Sequence, residues 1–175
     1  MPYRVIGGSR RQMEPTPRSF AAMTREDLVR LHKKVGEAHK LYTAERPDLR
    51  GKLIAGCLAQ GAAAHYVDGE TGIKDIDLWL FYDGRALGKG MPNRTIRTLD
   101  FGPSAHGRHP DDDPARFAGR RIDAMARSVT LHLQDPPSAV RAWLAGSTTS
   151  ARMLRTRPVI MVWPMHVVGR LVDWG

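Results

Sequence analysis

The chain has 175 residues, 42% hydrophobic and 26% charged, a length for one ordinary domain and a composition that excludes a wholly disordered chain, a collagen-like fibre and a coiled coil. Its longest apolar runs, at 159–163 and 78–81, fall far short of the roughly 20 residues of a membrane-crossing helix, and the N-terminus lacks the continuous apolar stretch of a secretory signal. The expectation is a cytoplasmic protein with no membrane partner. The single cysteine, Cys57, excludes an internal disulfide or a four-cysteine zinc site and reads as a small core residue. The net charge of +9 is uneven: residues 1–50 carry eleven Lys/Arg against six Asp/Glu, residues 51–113 seven against nine, and residues 114–175 nine against three. A basic surface draws phosphate-bearing partners, and an acidic middle between basic flanks suits a metal site that receives a polyphosphate.

Residues 1–23 contain Gly7, Gly8, Pro15 and Pro17 among few apolar residues and read as a flexible or loosely docked arm; residues 24–175 read as a single domain. Thr24 with Asp27 three residues on resembles a capping box, and Leu28, Leu31, Val35, Ala38 and Tyr42 recur at helical spacing until Pro47,. A second helical stretch is expected from near Asp48 into Leu53, Ile54, Cys57 and Leu58. Residues 74–82 (KDIDLWLFY) form the clearest strand, closed by Asp83-Gly84,. Alternation puts Asp75, Asp77, Trp79 and Phe81 on one face and Ile76, Leu78, Leu80 and Tyr82 on the other, and apolar residues on both faces beyond the acids imply a central strand. Residues 94–101 form a second strand, and residues 102–114 a Gly/Pro/His/Asp-rich loop. Residues 121–129 form another strand and residues 137–145 a helix. Residues 159–163, between Pro158 and Pro164, form a short edge strand or extended arm.

The chemistry centres on Asp75-Ile76-Asp77. Residues at i and i+2 of a strand share a face with Cα atoms roughly 6.5–7 Å apart, so two carboxylates can converge on a hard divalent ion. Like charges this close are costly near a core unless a cation or an arginine neutralises them; the alternative is a pair of acids at an exposed strand end or salt-bridged to arginines. His106 and His109 precede Asp111, Asp112 and Asp113, but no helix fixes their spacing, and the segment reads as a solvated loop within reach of substrate rather than a zinc site. Tyr66, Trp79 and Phe81 are candidates for stacking on a base, and equally for the core.

Upstream of the two acids lies LAQGAAAHY at residues 58–66, and twelve residues, 63–74, separate Gly61-Ala62 from Asp75. This arrangement resembles the DNA polymerase beta-like nucleotidyltransferase superfamily, in which a hydrophobic stretch leads into Gly-Gly or Gly-Ser, a short helix follows, and a strand delivers acid, hydrophobic residue, acid. The resemblance covers roughly residues 53–129. It implies an α+β fold, a small mixed β-sheet backed by helices, with a third carboxylate from a later strand. Asp123 in RRIDAM is the best match and Asp100 the runner-up; the alternative for Asp123 is a salt bridge to Arg121 or Arg127. It further implies Mg²⁺ or Mn²⁺ held by Asp75, Asp77 and Asp123. A nucleoside triphosphate would be contacted by Gly61, Ala62 and Lys74, with Arg120 and Arg121 as further phosphate contacts, and its nucleotidyl group transferred to a hydroxyl acceptor on RNA, protein or a small compound. Ala62 departs from the usual Gly or Ser and offers no hydroxyl, leaving only backbone N–H groups at the helix start. That departure, and the lack of an obvious acceptor-binding domain, admit a second reading, a non-catalytic basic module that binds nucleic acid or a partner protein on the same fold. A third is one half of a two-component system.

Overall fold

Thr24 starts the first helix by reciprocal capping. Its Oγ1 accepts from the Asp27 N–H at 3.2 Å, and the Asp27 carboxylate accepts from the Thr24 N–H at 2.8 Å,. The computed structural model describes residues 17–87, 91, 96–129 and 135–174; Gly7, Gly8 and the start of the strand expected at 94 lie outside them. In chain order the elements are α1 (Arg25–Glu45), β1 (Leu53–Ala59), α2 (Gln60–Asp68), β2 (Ile76–Asp83), β3 (Arg97–Asp100), β4 (Arg121–Val129), α3 (Pro136–Leu144), α4 (Thr149–Leu154) and β5 (Ile160–Trp163).

The strands form one sheet in the order β3-β4-β2-β1-β5. Only β2 and β4 pair in parallel; the other neighbours are antiparallel. The period-2 pattern of β2 divides the core as expected. Ile76, Leu78, Leu80 and Tyr82 join Leu28, Leu31, Val35 and Tyr42 of α1 and Ala62 and Ala63 of α2 on one face. Trp79 and Phe81 join Val140 and Leu144 of α3 and Leu154 of α4 on the other. The protein is thus an α+β domain, a mixed five-stranded sheet with helices on both faces. Among the described residues no helix is long and apolar enough to cross a membrane.

Gly56 lets α1 lie close on β1, since a Cβ there would stand 2.9 Å from both Val35 methyls. The Tyr42 hydroxyl, from α1, donates to the backbone oxygen of Ala124 in β4 at 2.9 Å. Tyr42→Phe is expected to cost about 1 kcal/mol, seen as a lower denaturation midpoint at unchanged denaturant slope.

One expected element needs correction, and three details add to the reading. The helix expected from Asp48 is a three-residue 3-10 turn, Pro47–Leu49, followed by strand β1. Helices cover the sheet on both sides, so both faces of β1 are buried and its apolar run carries no alternation to separate it from helix,. The described end of the arm is docked: Ser19 pairs with Ile73 through two 2.8 Å backbone hydrogen bonds, and a Cβ on Gly72 would lie 2.6 Å from the Cβ of Arg18. Helix α4 was not expected; Thr148 caps it by accepting from the Ala151 N–H at 3.1 Å,. The 102–114 segment has no regular structure and is largely exposed, as expected, but its two histidines are buried: His106 and His109 are 3% and 5% exposed.

Candidate functional site

Asp77 and Asp123 are direct partners in the parallel β2–β4 pairing, and Ala59, the last residue of β1, is the partner of Asp77 on the other side. The register therefore sets two carboxylates side by side, next to the turn that carries Gly61 and Ala62. Asp75 stands in the bend one residue before β2, not in the strand. Burial, then the negative charges of Asp75 and Asp123, push the Asp77 carboxyl up to about 7, against the opposing pull of Arg121 and Lys74,. Burial also raises Asp123, opposed first by Arg121.

Arg121 stands among the acids. Its Nη2 donates to Asp75 Oδ2 at 3.2 Å and its Nη1 to Asp112 Oδ1 at 3.4 Å. Its Nε lies 3.2 Å from Asp123 Oδ1 but off the hydrogen-bond line, so that contact is an ion pair only. Burial alone would lower the Arg121 pKa, yet Asp123, Asp112 and Asp75 together raise it. The salt-bridged alternative for Asp75 and Asp123 is thus what the side chains form, with one arginine serving both acids. Arg121 is accordingly a carboxylate partner here. Arg120 is buried and donates to the backbone oxygens of His106 and Lys74 at 3.0 and 3.1 Å, so it is engaged inside the fold. Arg127 lies over the Trp79 ring, 4.8 Å from its centroid, and donates to Ser150. Among the described residues no set of three or more carboxylate, imidazole or thiol groups is placed to hold a metal as it stands.

Asp100 has a different task. Its carboxylate accepts from the N–H groups of Gly102, Ala118 and Gly119, each at 2.9 Å. Burial would raise its pKa, but these three donors hold it below the ordinary value,. It thereby ties the two ends of the long loop between β3 and β4.

At the β1–α2 turn, Gln60 has φ 57°, a left-handed conformation uncommon outside glycine. Ala59 gives α2 no side-chain cap, which leaves the first N–H groups of the helix without one. Ala62 is fully buried in the core, so any role it has toward a phosphate belongs to its backbone N–H. A Cβ on Gly61 would stand 3.4 Å from Arg157 Nη1, and Lys74 is exposed beside Asp75. Trp79 and Phe81 pack against Trp143 in the core and offer no face to a base, while Tyr66 is half-buried against the core on the other side.

Arg157, nearby, escaped the sequence reading, and His109 and Asp112 were read there only as part of a loop within reach of substrate. Arg108 donates to the backbone oxygens of His109, Pro110 and Asp112, folding the Asp-rich run back toward the sheet. Single acids in such a run carry no periodicity, so nothing marks Asp112 out. A cavity of about 190 Å³ is lined by Lys74, Asp75, His109, Asp111, Asp112 and Arg121; another, of about 380 Å³, has Asp112, Arg116, Arg121 and Asp123 in its wall. Asp111, Asp112 and Arg121 line both cavities. No protein-family model, curated protein or solved structure matches the chain.

Proposed function

We propose that this chain transfers a nucleotidyl group from a nucleoside triphosphate to a hydroxyl acceptor, in the manner of the nucleotidyltransferases its motif resembles. The observation that carries this reading is the Asp77–Asp123 register pair, set against the end of β1 where α2 begins. An all-oxygen donor set fits Mg²⁺ or Mn²⁺ chemically. Asp77, whose charge is poorly compensated, would gain most from a cation, and Asp75, Asp77 and Asp123 would hold it once the Arg121 guanidinium withdraws. A divalent ion bound there supplies charge stabilisation for the triphosphate and acidifies the acceptor hydroxyl. The uncapped N–H groups of α2, with Lys74 and Arg157, would orient the phosphates. The acceptor oxygen attacks the α-phosphorus, its proton passes to the Asp123 carboxylate, and the bond to pyrophosphate breaks.

The test is incubation with each labelled nucleoside triphosphate and Mg²⁺, scoring transfer to RNA, to small hydroxylated compounds and to the chain itself. Asp123→Asn is expected to lose transfer while Asp100→Asn keeps it but lowers the melting temperature, because Asp100 closes a loop. The reverse pattern would remove Asp123 from the site. One observation favours the second reading, a basic module on the same fold: Arg121 already neutralises the acids. Transfer absent with every nucleotide, together with Mg²⁺-independent binding of RNA or a partner protein, would select it.

A further inference from the structure

Arg127 lies on the same face of β4 as Asp123, four residues and so roughly 13 Å further along the strand,. It is half-buried over the Trp79 ring and donates to the backbone oxygen of Ala126 at 2.9 Å and to Ser150 Oγ at 3.2 Å. Among the described residues it has no carboxylate partner. Burial lowers its pKa, and a cation held in this way gains from an anion brought beside it. Its fork of five donors has capacity beyond the two bonds made inside the fold.

Arg127 lines a cavity of about 450 Å³ between β4, α3 and the start of α4. Among the described residues it is the only charged one in the wall, and the adjoining sequence at 88–95 and 130–134 contains no Asp or Glu. The wall therefore favours an anion. Ser128, Thr148, Thr149 and Ser150 add four hydroxyls. Thr148 Oγ1 already accepts from the Ala151 N–H at 3.1 Å, and Ser150 Oγ accepts from Arg127, so both hydroxyls have a hydrogen left to donate. Trp143 and Met91 make the apolar side of the cavity. Trp143 packs on Phe81 and Trp79, with ring centroids 5.0 and 6.0 Å away, yet is only half-buried. A tetrahedral anion with several acceptor oxygens matches donors spread over β4 and α4 better than a flat carboxylate does, and a planar ring matches Trp143.

We propose that this cavity binds a phosphate monoester of an aromatic compound, its phosphate on Arg127 and the hydroxyls of α4 and its ring against Trp143. The site is separate from Asp75, Asp77 and Asp123 and draws on no metal, so it stands or falls independently of the nucleotidyl-transfer reading.

The experiment is calorimetric titration of the full chain with phenyl phosphate in EDTA, comparing the wild type, Arg127→Gln, Thr149→Val and Asp77→Asn. Affinity is expected to fall about tenfold in Arg127→Gln and about threefold in Thr149→Val, and to stay unchanged in Asp77→Asn. Inorganic phosphate is expected to bind about tenfold more weakly than phenyl phosphate, for want of the ring. No binding of phenyl phosphate to the wild type overturns the site, as does an unchanged affinity in Arg127→Gln. A changed affinity in Asp77→Asn would move the anion to the acids and overturn it too. Inorganic phosphate or benzoate binding as tightly as phenyl phosphate would overturn the ligand class. Should Arg127→Gln not fold, Thr149→Val, at an exposed position of α4, and the wild-type indole spectrum decide: the Trp143 Nε1–H resonance is expected to move on addition of phenyl phosphate, and no movement, or unchanged affinity in Thr149→Val, overturns the proposal.

Discussion

Replacing Asp77 by Asn is expected to reduce nucleotidyl transfer by about 10³-fold while making the metal-free protein more stable at pH 8. The stability effect follows from linkage. Burial and the neighbouring acids raise the Asp77 carboxyl to about 7 in the fold, against roughly 3.9 in an unfolded chain. Between those values the folded state holds a proton that the unfolded state has released. This group's contribution is therefore fully present below about pH 4 and disappears as pH rises through about 7. Asn resembles the protonated acid and does not ionise, so the variant lacks that loss; the difference at pH 8 is on the order of 2 kcal/mol after allowance for partial solvation. Denaturant unfolding of both proteins at pH 5 and pH 8 without metal checks it. A wild type and variant that keep the same difference at both pH values would show that Asp77 is ionised in the fold throughout.

Gly119→Ala is expected to cost about 3 kcal/mol or more and to disable the site with it. A Cβ at position 119 would stand 1.8 Å from the backbone oxygen of Gly102 and 2.5 Å from its carbonyl carbon. Backbone cannot swing aside as a flexible side chain can. Relief requires parting the two ends of the loop that Asp100 holds, and that loop carries His109 and Asp112 and leads directly into Arg121. Gly36→Ala, at a position in α1 with nothing within 4 Å, is the control and should stabilise by about 0.5–1 kcal/mol. Denaturation midpoints of the two variants against the wild type make the comparison; a Gly119→Ala protein of wild-type stability would mean that the loop ends are free to separate.

What the sequence made legible was whatever had a period or a cap. Thr24 and Asp27 marked the start of α1, alternation in IDLWLFY divided β2 between two cores, and the interleaving of RIDAMARSV matched β4 from its first residue. Strand β1 was misread because LIAGCLA is buried on both sides and so lacks alternation. The loop between β3 and β4 was opaque for another reason. Its order comes from polar contacts of high sequence separation: His106 reaches Ser19 at 3.1 Å and Asp27 at 3.4 Å, and no local pattern announces such contacts. Asp75 and Asp77 followed from spacing and Asp123 from the resemblance, whereas the role of Arg121 among them required the fold that brings Asp75, Asp112 and Asp123 together.

Because β2 and β4 run parallel, Asp77 and Asp123 become neighbours only after a crossover of 37 residues, 84–120, has closed. Antiparallel β1 and β2, joined by α2 alone, carry a far smaller loop-closure cost. A chain emerging from synthesis holds Asp75 and Asp77 well before Arg121 exists to balance them. During that interval Lys74 is the only cation adjacent in sequence, and the paired carboxylates oppose collapse of the sheet around them. Arrival of β4 delivers Arg121 and Asp123 in one step, so the cluster of acids is assembled and balanced by the same event that completes the middle of the sheet.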